Sequence, residues 1–176
     1  MKKNTKKIYI ILTYTGTILS KIIKLYTKAE YCHVSLSLDK RLKKMYSFGR
    51  LNAYNPFIGG FVHEGINRGT FKRFKNTTTE IYSIEVTNKQ YYKIKQEIRK
   101  IERNKHIYRF NRIGLFLAGV NYKYTKEKCF YCAEFVKHLI DVAEIDLNLP
   151  DIIKPIDFKE INNSEVLYTG VLKNYN

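Results

Sequence analysis

The chain has 176 residues, of which 44% are hydrophobic and 14% aromatic; this excludes an intrinsically disordered protein and suits a single folded domain over residues 1–176. Lys and Arg number 32 against 16 Asp and Glu, a formal charge of +16, which favours anionic partners such as a lipid surface, an acidic polymer or nucleic acid. The cations are spread from Lys2 to Lys173, as in a surface that uses lysine by default, so nucleic acid is the less favoured of these partners.

Only Lys2, Lys3, Lys6 and Lys7 form a run, with the character of a solvated basic arm. The next residues, Lys7–Thr13 (KIYIILT), are β-branched and aromatic on both faces, which predicts a strand in the middle of a sheet. The apolar run is interrupted by Thr13, Thr15, Gly16 and Thr17 and is too short for a signal core or a membrane span, so a cytoplasmic protein is expected. Ile18, Leu19, Ile22, Ile23 and Tyr26 then recur at helical spacing and predict an amphipathic helix packed on the sheet.

His33–Asp39 (HVSLSLD) alternates strictly, placing His33, Ser35 and Ser37 on one face of a strand. Lys44–Phe48 reads as its hairpin partner. Gly49–Gly69, with Asn55-Pro56, Gly59-Gly60 and Gly65, reads as a long ordered loop. Thr70–Phe74 and Glu80–Val86 read as further antiparallel strands. Thr87 and Gln90 form a capping-box pattern at the head of a helix whose apolar stripe is Tyr91, Ile94, Ile98 and Ile101. Arg112–Val120 is nearly all apolar and is read as a helix. From Tyr131 to Ile145 the residues Cys132, Phe135, Val136, Leu139, Ile140 and Ala143 share one helical face, with Cys132 in the first turn. Pro150 and Pro155 break the chain before a closing strand at Val166–Leu172.

Three cysteines, Cys32, Cys129 and Cys132, are too few for a disulfide framework and point to reduced thiols. Cys129 and Cys132 have the C-x-x-C spacing of a redox dithiol or of half a zinc site. No second half of a zinc site follows, so neither a metal nor a cofactor is expected; a redox dithiol stays a third reading, although a thioredoxin-like motif belongs near the start of a chain. A helix start lowers a thiol's pKa, and a neighbouring imidazole that takes up the proton lowers it further. Cys132 has the helix start, and His33, opening a strand with a polar face, is the best placed of the four histidines to serve as its base. A lone cysteine is more often a small buried hydrophobe; it is the pairing with His33 that raises the expectation of chemistry. Cys32 is expected to pack, and Cys129 to be a bystander.

The segment Tyr31–Asp39 (YCHVSLSLD) resembles the histidine-bearing strand of the NlpC/P60 superfamily, and Phe130–Val136 (FYCAEFV) resembles the start of its cysteine helix. The usual papain-like order of cysteine before histidine is reversed here. The chain in this respect resembles the circularly permuted branch, which includes the YiiX/YaeF-like proteins and the lecithin:retinol acyltransferase group. Lys154–Phe158 (KPIDF) is similar to the turn that follows the cysteine helix in these proteins.

This resemblance implies an α+β, permuted papain-like fold, with an antiparallel sheet packed against the cysteine-bearing helix. It also implies a polar residue that orients the imidazole, usually on the strand after the histidine, where this chain has Tyr46 and Ser47. Glu64 is favoured over both, because a carboxylate fixes the tautomer and stabilises the imidazolium. The implied activity is that of a thiol hydrolase (amidase or peptidase) or acyltransferase working through a thioester on a peptide, amide or lipid-acyl substrate. The alternative is a basic module that binds nucleic acid or an anionic membrane, with an incidental Cys/His pair.

Overall fold

A computed structural model describes residues 5–27, 29–159 and 161–175 of the protein. Strand β1 (Thr5–Tyr14) is followed by helix α1 (Ile18–Thr27), β2 (His33–Ser37), β3 (Met45–Asn52), β4 (Asn55–Glu64), the short α2 (Gly69–Arg73), β5 (Thr78–Thr87) and α3 (Asn88–Arg103). The two-residue strands β6 (Arg109–Phe110) and β7 (Cys129–Phe130) flank α4 (Arg112–Gly119). Helix α5 (Cys132–Val142) and β8 (Ser164–Val171) complete the order. The main sheet has the order β4-β3-β2-β1-β5-β8, every neighbouring pair antiparallel. β6 and β7 pair in parallel as a separate ribbon.

β1 lies between β2 and β5 and is apolar on both faces because both faces are covered. Ile8, Ile10 and Leu12 meet Val34, Leu36 and Phe48 in the core shared with α3 and α5, where Ile94, Ile98, Phe135, Val136 and Leu139 are buried. Tyr9 and Ile11 face a smaller core with Leu42, Met45, Phe71 and Leu172. α3 begins on the capping box expected of it: the Thr87 hydroxyl accepts from the Gln90 amide at 3.2 Å and the Gln90 side chain accepts from the Thr87 amide at 2.9 Å. The sheet and these helices make the chain a mixed α+β protein with an antiparallel sheet.

Four expectations are corrected. Gly49–Gly69 is not a long loop, for β3 runs on through Gly49 to Asn52 and β4 returns from Asn55 to Glu64. Its glycines mark close approach within strands: a Cβ at Gly59 would lie 2.8 Å from Phe110 Cγ. Thr70–Phe74 is not a strand but lies largely in α2, with Phe71 as its single buried residue. Five residues are too few for periodicity to separate the two states. The run Lys2–Lys7 is not wholly an arm either, since Lys6 and Lys7 belong to β1. The Lys6 ammonium sits 4.6 Å from the Tyr91 ring centre, and the Lys7 ammonium 3.1 Å from a Glu165 carboxylate oxygen. Lys2 and Lys3 lie outside the described residues. In α1, Ile18 is 80% exposed and takes no part in the packed stripe expected of it; the side chains of Leu19, Ile22, Ile23 and Tyr26 lie outside the described residues.

Candidate active site

His33 is the first residue of β2, and Glu64 the last of β4, two strands away. Their side chains are 22% and 12% exposed, and His33 Nε2 lies 3.1 Å from Glu64 Oε1 and 3.0 Å from Oε2. The intervening strand β3 leaves room for this contact because Gly49 has no side chain. A Cβ there would lie 3.2 Å from His33 Cε1 and 3.6 Å from Glu64 Oε1. Ser35, two residues along the same face as His33, donates its hydroxyl proton to Glu64 Oε2 at 2.5 Å. A carboxylate with two donors on one oxygen stays ionised more readily.

The charges of this group are shaped by burial and pairing together. Burial works against the His33 cation, but the Glu64 carboxylate and the Cys132 thiol overcome it, and the imidazole is pushed up to about 10. Burial works against the Glu64 anion as well, but His33 and the Ser35 hydroxyl hold its carboxyl below the usual range. The pair is therefore an imidazolium–carboxylate ion pair at neutral pH. Because Nε2 is turned to Glu64, Nδ1 is the ring nitrogen left for the thiol.

Cys132 opens α5 and is 3% exposed. It lies near enough to His33 to help hold the imidazole up. The local sequence sets this helix start firmly. Glu134, in the first turn, accepts from the Tyr131 amide at 3.1 Å, while the Tyr131 hydroxyl donates to the Ile153 carbonyl at 2.7 Å. Asn111 joins from the head of α4: its amide nitrogen donates to Glu134 at 3.1 Å and its carbonyl oxygen accepts from the Gly114 amide at 2.8 Å. As a first-turn residue of a helix, Cys132 presents a backbone N–H that the helix itself does not use.

Of the other two thiols, Cys32 is buried and its Sγ donates to the Ser20 carbonyl at 3.4 Å. Burial and the neighbouring Cys132 push it up to about 12, so it stays a neutral packing thiol. Cys129 lies on β7, half-buried, opposite Arg109. The other candidates for orienting the imidazole are turned elsewhere. The Ser47 hydroxyl donates to the Val34 carbonyl at 2.9 Å, and the Tyr46 ring packs edge-on against His63 with centres 5.4 Å apart. His63 and His138 are engaged with Glu102 at 3.0 Å and Glu97 at 2.9 Å. Among the described residues, no group of three or more His, Cys, Asp or Glu side chains is placed to hold a metal ion.

The structure thus brings His33, Glu64 and Cys132 together. Three contributors were not singled out from sequence: Ser35 as a partner of Glu64, Gly49 as the gap beneath the pair, and Arg50. The Arg50 guanidinium reaches Thr17 Oγ1 at 3.4 Å and acts electrostatically on both Glu64 and Cys32. The alternation of β2 puts Ser35 on the histidine face; its partner comes from β4, whose glycines give it the pattern of a loop.

No family model, no curated protein and no solved structure matches the chain. The functional reading therefore rests on the side chains themselves.

Proposed function

We propose that the protein is a cysteine-dependent hydrolase or acyltransferase of the permuted papain-like, NlpC/P60 type, with Cys132 as nucleophile, His33 as general base and acid, and Glu64 as the residue that orients and charges the imidazole. One observation carries the reading: a histidine held on one nitrogen by a buried carboxylate shares its surroundings with a thiol at a helix start. That is the arrangement that nucleophilic thiol catalysis needs.

The proton given up by the Cys132 thiol is the one that His33 holds as an imidazolium, and the sulfur attacks the carbonyl carbon of an amide or ester as the thiolate. The negative charge moves to the carbonyl oxygen, towards the first-turn N–H groups of α5. Collapse of this intermediate breaks the bond to the amine or alcohol, which leaves with the proton from His33, and a thioester remains on Cys132. Water or a second acceptor, deprotonated by His33, then attacks the thioester. The acid or the transferred acyl group departs as the Cys132 sulfur leaves, and the proton taken from water or the acceptor stays on His33 as the imidazolium. Glu64 keeps its charge throughout and stabilises the imidazolium at each stage.

The test is to trap the intermediate. Incubated with an activated aryl ester, the wild-type chain is expected to carry an acyl group on Cys132 that hydroxylamine removes. Acyl groups spread over lysines, or equal labelling in Cys132→Ala, would contradict the reading.

A further inference from the structure

Helix α4 turns one face inward and the other out. Asn111, Gly114 and Ala118 are buried, whereas Ile113, Phe116 and Val120, at positions i, i+3 and i+7, are 58%, 64% and 56% exposed. Tyr122, just beyond the helix, is 62% exposed. An apolar stripe on the outer face of a surface helix reverses the usual pattern of a folded protein, in which that face is polar.

Beside the stripe is an open depression of about 570 Å³ whose lining includes Arg109, Arg112, Lys126 and Lys128 together with Ile113 and Tyr124. From Asn104 to Lys128 the cations are Lys105, Arg109, Arg112, Lys123, Lys126 and Lys128, and Glu127 is the single carboxylate. Positive charge is here gathered around exposed hydrocarbon.

We propose that the outer face of α4 and the basic depression next to it form a docking surface for an anionic lipid bilayer. The two parts match the two parts of such a surface: Ile113, Phe116 and Val120 enter the boundary of the acyl chains, while the flanking Arg and Lys side chains meet the negative headgroups. A nucleic acid would use the cations but has little to offer the aliphatic side chains of Ile113 and Val120. The surface is also fastened to the candidate active site. Asn111 at the head of α4 is tied to Glu134, which caps the helix carrying Cys132. Docking therefore takes hold of the protein at a helix whose head is tied to the start of α5. The proposal goes beyond the thiol chemistry and does not depend on it.

The experiment is co-sedimentation of the full chain with vesicles of phosphatidylcholine, alone or with phosphatidylserine added, at moderate salt. The wild type is expected to bind the phosphatidylserine vesicles and not the neutral ones. Binding should weaken by about tenfold or more in Ile113→Asp/Phe116→Asp and in Lys126→Glu/Lys128→Glu, with circular dichroism unchanged. Should the paired Asp variant lose helical signal, the charge reversal, confined to exposed residues, carries the same comparison. Cys132→Ala is expected to bind as the wild type does, which separates a failure of docking from a failure of the enzymatic reading. Absence of binding to phosphatidylserine vesicles would overturn the proposal. So would an Asp variant that keeps its fold and binds as the wild type does, or displacement of the chain from vesicles by a DNA duplex that the Asp variant binds equally well.

Discussion

Glu64 meets His33 through both carboxylate oxygens and is itself held by Ser35, so the imidazole has one orientation and a nearby negative charge. This arrangement has a consequence for stability that can be signed. The His33 imidazole is raised from 6.5 to about 10, so its contribution to stability is full below about pH 6.5 and is lost as the pH rises through about 10. The Glu64 carboxyl is lowered from 4.5, so its contribution is present above about pH 4.5 and is lost as the pH falls through its lowered value. Glu64→Gln is therefore expected to cost about 1–3 kcal/mol near pH 6. Denaturant unfolding across the pH range should show the difference shrinking as the pH rises through about 10. A difference that is constant with pH would mean that the pair is not ionic. At this scale Cys132 and His33 were legible in the sequence, because a helix stripe and a strict strand alternation each placed them. Glu64 was weighed only as a carboxylate in an apparent loop, and no local pattern could tie it to a residue 31 positions away.

At the level of elements, sequence patterns succeeded where a segment answers to its own periodicity. β1, the β2–β3 hairpin, α3 with its Thr87/Gln90 box, and α5 all follow from spacing and caps. They failed where a neighbour decides. Gly49 and Gly59 looked like loop residues, yet they are strand positions over which His33 and Phe110 pass. The tie between α4 and α5 was equally hidden, since it depends on Asn111 bridging 23 residues to Glu134. Asn111 is buried and serves both helices, so Asn111→Ala is expected to destabilise the chain by about 1–2 kcal/mol. The same change should slow alkylation of Cys132 by loosening the start of α5. Thermal unfolding and the labelling rate check the two effects, and an unchanged labelling rate would show that α5 holds its start without α4.

Across the whole molecule, the charge of +16 was the least informative number in the sequence, because it has no position. The structure gives part of it a position, around the exposed face of α4 and the depression beside it. The rest is dispersed, some of it in surface pairs such as Lys7–Glu165 and Lys93–Glu144, which contribute little each. The six-stranded sheet has a simpler part in the account. By packing β2 and β3 against α5, it delivers His33 and Cys132, 99 residues apart in the chain, to one place. A rigid scaffold of this kind suits chemistry that depends on the relative positions of a thiol and an imidazole.

That dependence is tested most directly by the pH profile of iodoacetamide labelling at each cysteine, read by mass spectrometry in the wild type and in His33→Ala. The account predicts that Cys132 reacts fastest of the three thiols at neutral pH and slows by about 10²-fold without His33, while Cys32 reacts only in strong alkali, in line with a thiol pushed up to about 12. If Cys132 follows the profile of an ordinary thiol in both proteins, the central claim is wrong.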